Sequence, residues 1–214
     1  MSKIDRIFIF GDSIGQGFYD EKNGGWVQQL QRYFFKEAIE EKSDVNIINL
    51  SVSGHSSTEV LARIHFEISN RIRPVGMLTI LAIGVNDSYE KHGIKRTPPE
   101  KLNENINQII QEVKALGSEL LILGCTPCVN DRVQPTSWNS ALWYDTADLR
   151  KYESILQRCA ADADVEFLPL WEALNSKMQD EELMPDGIHP NTTGHEIIYN
   201  EVSRKLRVIM ETSR

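Results

Sequence analysis

The sequence predicts an α/β protein, a three-layer α/β/α sandwich around a five-stranded parallel sheet. Short apolar runs without in/out alternation recur along the chain, as is typical of strands that are buried on both faces of a parallel sheet. Segments whose apolar residues have helical spacing lie between these runs. Such regular alternation of strand and helix favours right-handed crossovers with helices on both faces of the sheet.

The elements follow one another without interruption. The predicted strands, in chain order, are residues 7–10, 45–50, 77–83, 120–123 and 165–168. The predicted helices contain the apolar positions of residues 27–38, 61–72, 102–116, 149–159 and 198–209. Each strand is followed by one helix, so we expect a flavodoxin-like sheet with its ligand site outside the carboxyl ends of the strands.

Two connecting segments, residues 87–99 and 126–145, are long, and we expect them to be irregular. Loops of this length in a compact domain usually form a lid or a wall of a functional site. The second segment carries Trp138, Trp143 and Tyr144. These aromatic rings either contact the substrate or fix the loop to the core, and the sequence leaves both alternatives open.

The composition limits the class of protein and its partners. With 214 residues and 41% hydrophobic content, residues 1–214 are expected to form one domain. A formal net charge of −8 and a pI near 5.2 disfavour binding to nucleic acid or to an anionic membrane, since both require clustered Lys and Arg. No apolar stretch approaches the length of a membrane span, so we expect no membrane insertion. A small or neutral molecule is the expected ligand.

Two features favour a cytoplasmic location. The three cysteines, an odd number, do not make a disulfide framework. Residues 1–5 lead into the first predicted strand without the long apolar segment of a secretory signal. A protein whose leader had been removed would have the same start, and the oligomeric state has no signal in the sequence.

Polar and small residues follow the predicted strands where each strand ends. Ser13 comes after the first strand, Gly54 after the second and Asn86 after the third. Asp186 and His189 lie in the segment beyond the fifth strand. Because ligands of open α/β sheets bind outside the carboxyl ends of the strands, we expect these residues to converge on one edge.

Ser13, His189 and Asp186 are residue types that suit nucleophilic catalysis. A serine hydroxyl attacks efficiently when a base removes its proton, and the base works best when a third group fixes its tautomer. Asp186 precedes His189 by three residues with Gly187 between them, so one tight turn brings the carboxylate to the imidazole. The sequence therefore offers a candidate catalytic triad.

Acyl transfer also builds an oxyanion, which preorganised hydrogen-bond donors stabilise. Ser13 offers its own N–H where a helix begins, and Gly54 offers an N–H in a sharp turn that a side chain is expected to obstruct. Asn86 offers its side-chain NH₂. Ser13, Gly54 and Asn86 are thus the candidate oxyanion-hole donors.

Four blocks that contain these residues resemble the SGNH (GDSL) hydrolase family, named after its Ser, Gly, Asn and His. The blocks are IFGDSI at residues 9–14, NLSVSG at 49–54, IGVND at 83–87 and DGIHP at 186–190. They occur in family order within a resemblance that spans residues 7–195, and the one departure is an isoleucine at position 14 in place of Leu.

The resemblance implies the nucleophile, the oxyanion hole and the rest of the triad. It assigns Ser13 as nucleophile, Gly54 and Asn86 as oxyanion-hole donors, and Asp186 with His189 as the other triad members. Members of the family cleave lipid, thio-, acetyl-sugar and other esters. The resemblance therefore implies ester hydrolysis but does not supply the substrate.

Each of these residues also has an alternative structural role. Ser13 at a strand–helix junction suits a helix N-cap, and Asn86 suits an Asx turn. Asp186 and His189 suit a polar loop before the last helix, and Asp12 is expected to fix its loop rather than to react. The presence of all four blocks favours the catalytic interpretation.

The remaining reactive side chains carry weaker signals. His65 and His195 are expected to be packing or boundary residues, and His55 is a weaker candidate for a substrate contact. Cys125 and Cys128 form a C-x-x-C that runs into an irregular loop, which favours chance over a redox pair. No set of residues has metal-ligand spacing and no phosphate-binding loop is present, so we expect neither metal nor cofactor.

The sequence therefore predicts a serine hydrolase that cleaves a carboxylic ester or thioester through an acyl-enzyme on Ser13. We expect a soluble substrate with a short- to medium-chain acyl group, because the chain has neither a basic amphipathic helix nor a net positive charge for a lipid interface. Acyl transfer to an alcohol, or lysophospholipase-like lipase action, would use the same triad. A non-enzymatic alternative is a flavodoxin-like module that binds an anion at a helix N-terminus.

Overall fold

The five central strands and the five long helices between and after them occur in the predicted order along the chain. The computed structural model describes residues 4–179 and 181–212, so the first three residues, on which the cytoplasmic expectation partly depends, lie outside the described part. The strands are β1 (Ile4–Gly11), β2 (Asn46–Asn49), β3 (Gly76–Ala82), β4 (Glu90–Lys91), β5 (Ile94–Lys95), β6 (Ser118–Leu123), β7 (Leu142–Trp143) and β8 (Glu166–Leu168). The helices are α1 (Ser13–Gln16), α2 (Trp26–Ile39), α3 (Ser57–Ser69), α4 (Val85–Ser88), α5 (Pro99–Ala115), α6 (Asn130–Val133), α7 (Thr146–Asp162), α8 (Trp171–Met178) and α9 (Thr192–Thr212).

Five parallel strands form the central sheet, in the order β2-β1-β3-β6-β8. β1 pairs with β2 on one side, where Ile7 faces Ile47, and with β3 on the other, where Ile7 faces Leu78. Numbered alone, the central strands have the order 2-1-3-4-5, which is flavodoxin-like, and the predicted fold class is confirmed. The strand order reverses between β1 and β3, and ligands of such sheets bind at this point.

The three inner strands β1, β3 and β6 are buried on both faces, which explains their continuous apolar character. In β1, Ile7, Phe8, Ile9 and Phe10 are all 0% exposed. On the helical layers, α2 packs against α9, and α5 packs against both α3 and α7. Burying each large side chain stabilises the fold by about 1.5–3 kcal/mol. The end of β1 is therefore held rigidly, and the residues that follow it have fixed positions.

The segments between the major elements differ from the expectation. Residues 87–99 and 126–145, expected to be irregular, contain β4, β5 and β7, which form a small antiparallel sheet in the order β5-β4-β7. Strands of two residues are too short to show periodicity in the sequence. α8 was also missed, because its buried residues, Trp171 and Leu174, are too few for a clear helical period.

The ends of two helices are informative. α3 ends at Ser69, before Ile72, which the spacing had included in the helix. Pro74 follows closely, and a proline disfavours the helical backbone conformation at the residue before it.

α9 is the longest of the described helices at 21 residues and is amphipathic. No helix within residues 4–179 and 181–212 is long and apolar enough to cross a membrane.

Candidate active site

Ser13 is the first residue of α1, directly beyond the end of β1. Asp12 caps this helix, as its Oδ1 accepts the N–H of Ile14 at 2.9 Å. The alternative in which Ser13 is the N-cap is therefore wrong, and its hydroxyl is left for other contacts. Gly17 ends α1 with φ +86°, where a Cβ would lie 2.0 Å from the carbonyl oxygen of Gly24. The left-handed conformation of Gly17 ends α1 after one turn, and the nearby Gly24 leaves no room for a side chain at this position.

The turn before α9 carries His189 and Asp186. His189 Nε2 lies 2.8 Å from Ser13 Oγ, and His189 Nδ1 lies 2.5 Å from Asp186 Oδ2. The second carboxylate oxygen, Asp186 Oδ1, accepts the N–H groups of Ile188 at 3.0 Å and of His189 at 2.8 Å. Gly187 has φ +93°, which glycine adopts at low cost. The structure thus brings the serine, the histidine and the aspartate into one hydrogen-bonded chain.

Hydrogen bonds keep the Asp186 carboxylate charged. Burial alone raises its pKa, but the hydrogen bonds from the ring and backbone of His189 outweigh burial, so the pKa is lowered from its ordinary value. A charged Asp186 holds the proton on Nδ1 of a neutral imidazole and leaves Nε2 as an acceptor toward Ser13. This arrangement is able to remove the proton of the Ser13 hydroxyl.

Asn86 lies on α4, just beyond β3, and is buried. Its Nδ2 donates to Asp12 Oδ2 at 3.2 Å and to the carbonyl oxygen of His55 at 3.1 Å. Its Oδ1 accepts the hydroxyl of Tyr144 at 3.1 Å. Both amide hydrogens therefore have acceptors in the free protein. An oxyanion placed near Nδ2 can share one of these hydrogens, because both contacts lie at the long end of the hydrogen-bond range.

Asp12 is a buried carboxyl at the centre of this group, 3% exposed. Burial raises its pKa to about 6, and the nearby carboxylate of Asp87 adds to the shift, although the Ile14 N–H and His189 oppose it. The expectation that Asp12 fixes its loop is confirmed by its capping contact. Through Asn86 it also connects the ends of β1 and β3.

Gly54 lies in the turn after β2 with φ +77° and is exposed. A Cβ at this position would meet no atom within 4 Å, so the expectation that a side chain obstructs this turn is wrong. Glycine is favoured here by the left-handed backbone conformation, not by lack of space. Arg96 fixes the turn from outside, since it donates to the Gly54 carbonyl oxygen at 2.7 Å and pairs with Glu59 at 2.8 Å.

Asp87 joins the turn after β2 to the helix after β3. Its fully buried carboxylate accepts the hydroxyl of Ser57 at 2.5 Å and the N–H of Ser57 at 3.0 Å. Asn105 on α5 donates to the same hydroxyl oxygen at 2.9 Å. Since Ser57 begins α3, these bonds hold the segments of Gly54 and Asn86 in a fixed relative position.

Three exposed aromatic residues surround the His189 ring, and we call them the aromatic collar: Phe18, Tyr19 and Trp138. The Tyr19 ring stacks on the imidazole with centroids 5.2 Å apart and an interplanar angle of 10°. The Phe18 and Trp138 rings lie at 5.9 and 5.8 Å. The collar residues are 44%, 50% and 46% exposed, so part of each residue is accessible to solvent beside the imidazole.

The aromatic residues of segment 126–145 have different environments. Trp138 belongs to the aromatic collar, whereas Trp143 lies on β7 and is 46% exposed. Tyr144 is 5% exposed and contacts the Tyr89 ring edge-on at 5.6 Å. Tyr144 therefore fixes the loop to the core, which is one of the two roles considered for these residues.

The remaining histidines are divided between the core and the surface. His195 is fully buried, and its ring nitrogens contact the N–H of Trp26 at 3.3 Å and the carbonyl oxygen of Phe18 at 2.9 Å. Its predicted packing role is confirmed. His65 is exposed and pairs with Glu112 at 2.7 Å, so of the two predicted roles, packing or boundary residue, it has the second.

The cysteines and His55 have no place in the hydrogen-bonded chain. Cys125 and Cys128 are buried free thiols, and burial raises the pKa of Cys128 to about 11, so it does not form a thiolate nucleophile near neutral pH. His55 contacts Asn86 through its backbone. In the described part of the chain, no group of three or more His, Cys, Asp or Glu residues could hold a metal ion.

Sequence reasoning missed Phe18, Tyr19 and Arg96. Their partners are distant in the chain: Arg96 reaches a turn 42 residues earlier. Tyr19 follows the left-handed Gly17 and itself has φ +67°, which is unusual for a non-glycine residue. For Phe18 and Tyr19 the sequence did carry a signal: both follow Ser13 closely, beyond the end of the first strand, and so they lie outside the sheet near the site.

The fold, with these residues at the carboxyl edge of the sheet, defines an enzyme of the ester hydrolase class when it is combined with the family comparison. The model of the GDSL-like lipase/acylhydrolase family matches residues 9–197. The chain belongs to this family and is a carboxylic ester hydrolase.

Relatives and a solved structure agree with this assignment. The chain is 25% identical over 207 residues to thioesterase 1/protease 1/lysophospholipase L1 of Escherichia coli strain K12, covering 96% of this chain and 85% of that protein. It is 28% identical over 222 residues to a GDSL esterase/lipase of Arabidopsis thaliana, covering 94% and 85%. A lipase/acylhydrolase of Enterococcus faecalis has the same fold, with a TM-score of 0.74, 20% identity and 95% coverage of each chain.

Proposed function

We propose that Ser13, His189 and Asp186 are the catalytic triad of this esterase, which works as a single domain through an acyl-enzyme on Ser13. The single observation that carries the proposal is the hydrogen-bonded chain, 2.8 Å from Ser13 Oγ to His189 Nε2 and 2.5 Å from His189 Nδ1 to Asp186 Oδ2. Each member of this chain suits one role: nucleophile, general base, and the group that orients the base.

The proposed reaction has two halves. Ser13 Oγ attacks the ester carbonyl carbon while His189 Nε2 takes the hydroxyl proton. The tetrahedral oxyanion collapses, the bond to the leaving group breaks, and His189 returns the proton to the leaving alcohol or thiol. Water then attacks the acyl-enzyme with His189 as base, and the carboxylic acid and free Ser13 are released.

The proposed oxyanion hole consists of the backbone N–H groups of Ser13 and Gly54 and the side-chain NH₂ of Asn86. As the first residue of α1, Ser13 has an N–H without an acceptor inside the helix. The Asp87–Ser57 bonds hold the segments of Gly54 and Asn86 together before any substrate binds. Such preorganisation makes donors effective, because they need not rearrange as negative charge develops.

An anion-binding module is not supported at α1. This helix has four residues, and the carboxyl group of Asp12 already accepts one of its first N–H groups. An anion placed there would meet a like charge above pH 6, where Asp12 ionises. An anion-binding role also does not explain the contact between Ser13 and His189.

We propose a soluble ester or thioester with a short- to medium-chain acyl group as the substrate. The support for a soluble substrate is the net charge of −8, which disfavours docking on an anionic lipid interface. The aromatic collar lies beside His189, which protonates the leaving group, so we place the leaving alcohol or thiol against these rings.

A fluorophosphonate probe tests the triad, because it reacts with an activated serine. Peptide mass spectrometry should find the adduct on Ser13 in the parent protein, and Ser13→Ala and His189→Ala should both lose labelling and activity. Ser53→Ala is the matched control: Ser53 is exposed after β2 but is outside the proposed triad, so this variant should label like the parent. An adduct on another serine, or full activity in Ser13→Ala, would contradict the proposal.

A further inference from the structure

The Asn86 carboxamide is held at both ends by groups of opposite hydrogen-bonding character. Its Oδ1 accepts the Tyr144 hydroxyl at 3.1 Å. Its Nδ2 donates to Asp12 Oδ2 at 3.2 Å and to the His55 carbonyl oxygen at 3.1 Å. A rotation that exchanged the oxygen and the nitrogen would turn Oδ1 toward a carboxylate and a carbonyl, which offer no hydrogen. Only one orientation of the amide satisfies all three neighbours.

Tyr144 is itself fixed in place independently of any substrate. Its N–H donates to the Val133 carbonyl oxygen at 3.1 Å, and its own carbonyl accepts Gln134 Nε2 at 3.0 Å. Its ring packs edge-on against Tyr89. The hydroxyl is therefore presented to Asn86 from a rigid support, although the two residues are 58 positions apart in the chain.

The hydroxyl of Tyr144 stays protonated and can therefore always donate its hydrogen bond to Asn86 Oδ1. Burial raises the pKa of Tyr144, and the nearby Asp12 carboxyl adds to the shift, so the phenol stays protonated across the working pH range. A buried hydroxyl without a partner costs about 1–3 kcal/mol, which favours the contact with Asn86 Oδ1.

From these contacts we infer that Tyr144 is a positioning residue that holds the Asn86 carboxamide with its NH₂ available to the oxyanion. The inference rests on the proposed role of Asn86 as an oxyanion-hole donor. Tyr144 is not in the group of residues that would touch the reacting atoms. It acts through Asn86, so its effect must vanish when the Asn86 amide is absent.

A double-mutant cycle with p-nitrophenyl acetate tests this dependence. Tyr144→Phe removes only the hydroxyl and should lower kcat about tenfold with KM unchanged, the size of one lost hydrogen bond. In an Asn86→Ala background, the same change should alter kcat by less than about twofold. Inactivation by the fluorophosphonate probe should show the same pattern, because it also develops negative charge on an oxygen in the oxyanion hole.

Tyr152→Phe is the matched control for loss of a buried hydroxyl. Tyr152 is fully buried, and its hydroxyl donates to the Thr97 carbonyl oxygen at 2.5 Å and not to Asn86. This variant should lower the melting temperature about as much as Tyr144→Phe while leaving kcat within about twofold of the parent. A similar loss of kcat in both variants would show a general structural effect and overturn the inference.

The cycle separates two failures. If Tyr144→Phe keeps the parent kcat, or lowers kcat equally with and without the Asn86 amide, Tyr144 does not act through Asn86 and the inference is wrong. If Asn86→Ala keeps the parent kcat, the proposed oxyanion role of Asn86 is wrong, and the inference fails with it.

Discussion

Replacing Asp186 with asparagine should reverse the direction of the hydrogen bonds in the site while keeping its turn. The asparagine oxygen can still accept the N–H groups of Ile188 and His189, which Asp186 Oδ1 accepts at 3.0 and 2.8 Å. Its NH₂ then takes the place of Oδ2, 2.5 Å from His189 Nδ1. Nδ1 has to accept, so the imidazole proton moves to Nε2 and is donated to Ser13 Oγ. The base no longer has a free lone pair for the serine.

The expected loss of activity is large and the loss of stability is small. The same change of tautomer in a serine protease lowers kcat on the order of 10⁴-fold, or about 5.5 kcal/mol of transition-state stabilisation. The free energy of unfolding should fall by only about 1 kcal/mol, because both backbone hydrogen bonds persist with a neutral acceptor in place of a charged one.

The assay combines kcat for p-nitrophenyl acetate near neutral pH with urea unfolding of the same preparation. Asp148→Asn is the matched control, since Asp148 pairs with Lys95 outside the proposed site. It should keep kcat within about twofold of the parent. If Asp186→Asn stays within about tenfold of the parent kcat while it is folded, the assigned role of Asp186 is refuted.

Three further predictions address substrate, pH and backbone. Across p-nitrophenyl esters from acetate to palmitate, kcat/KM should peak at a short or medium chain; a steady rise to palmitate would indicate a lipase. Burial raises the pKa of Glu59, but hydrogen bonds from the α3 cap and Arg96 lower it to about 2, so its stabilisation is complete above about pH 5.5 and is lost as pH falls through 2. The difference in melting temperature between the parent and Glu59→Gln should shrink accordingly, and a difference unchanged at pH 2 would contradict this. Gly17→Ala should cost at least about 2 kcal/mol of unfolding free energy, and more than Gly93→Ala, because only the Cβ at 17 meets backbone, at 2.0 Å; equal costs would exclude the clash.

The central sheet was predictable from the sequence because its signal is local. Each of the three inner strands is buried on both faces, so a continuous apolar run is visible without knowledge of its neighbours. The rule that ligands bind beyond strand ends then placed Ser13, Gly54 and Asn86 on one edge. The contact between Asp186 and His189 could be predicted for the same reason, because the two residues are only three positions apart in the chain.

The supporting contacts were not predictable, because they depend on side chains that meet only in the folded state. Tyr144 reaches Asn86 across 58 residues, and Arg96 reaches the carbonyl of Gly54 across 42. The two-residue strands β4, β5 and β7, which carry this part of the chain, show no periodicity. For Gly54, the sequence indicated the correct residue for the wrong reason, since the φ angle and not crowding favours glycine.

The contact between Ser13 and His189 joins residues 176 positions apart, near opposite ends of the described chain. During synthesis the proposed nucleophile Ser13 emerges early, whereas the proposed base His189 emerges only after all five central strands have been made. Under the proposed mechanism, a nascent or truncated chain that lacks residues 186–189 has no activated serine, however well its first strands have formed. Ester hydrolysis is thus expected only after the whole sheet has been completed, and the rate of reaction with a fluorophosphonate can be used to time the folding of the chain.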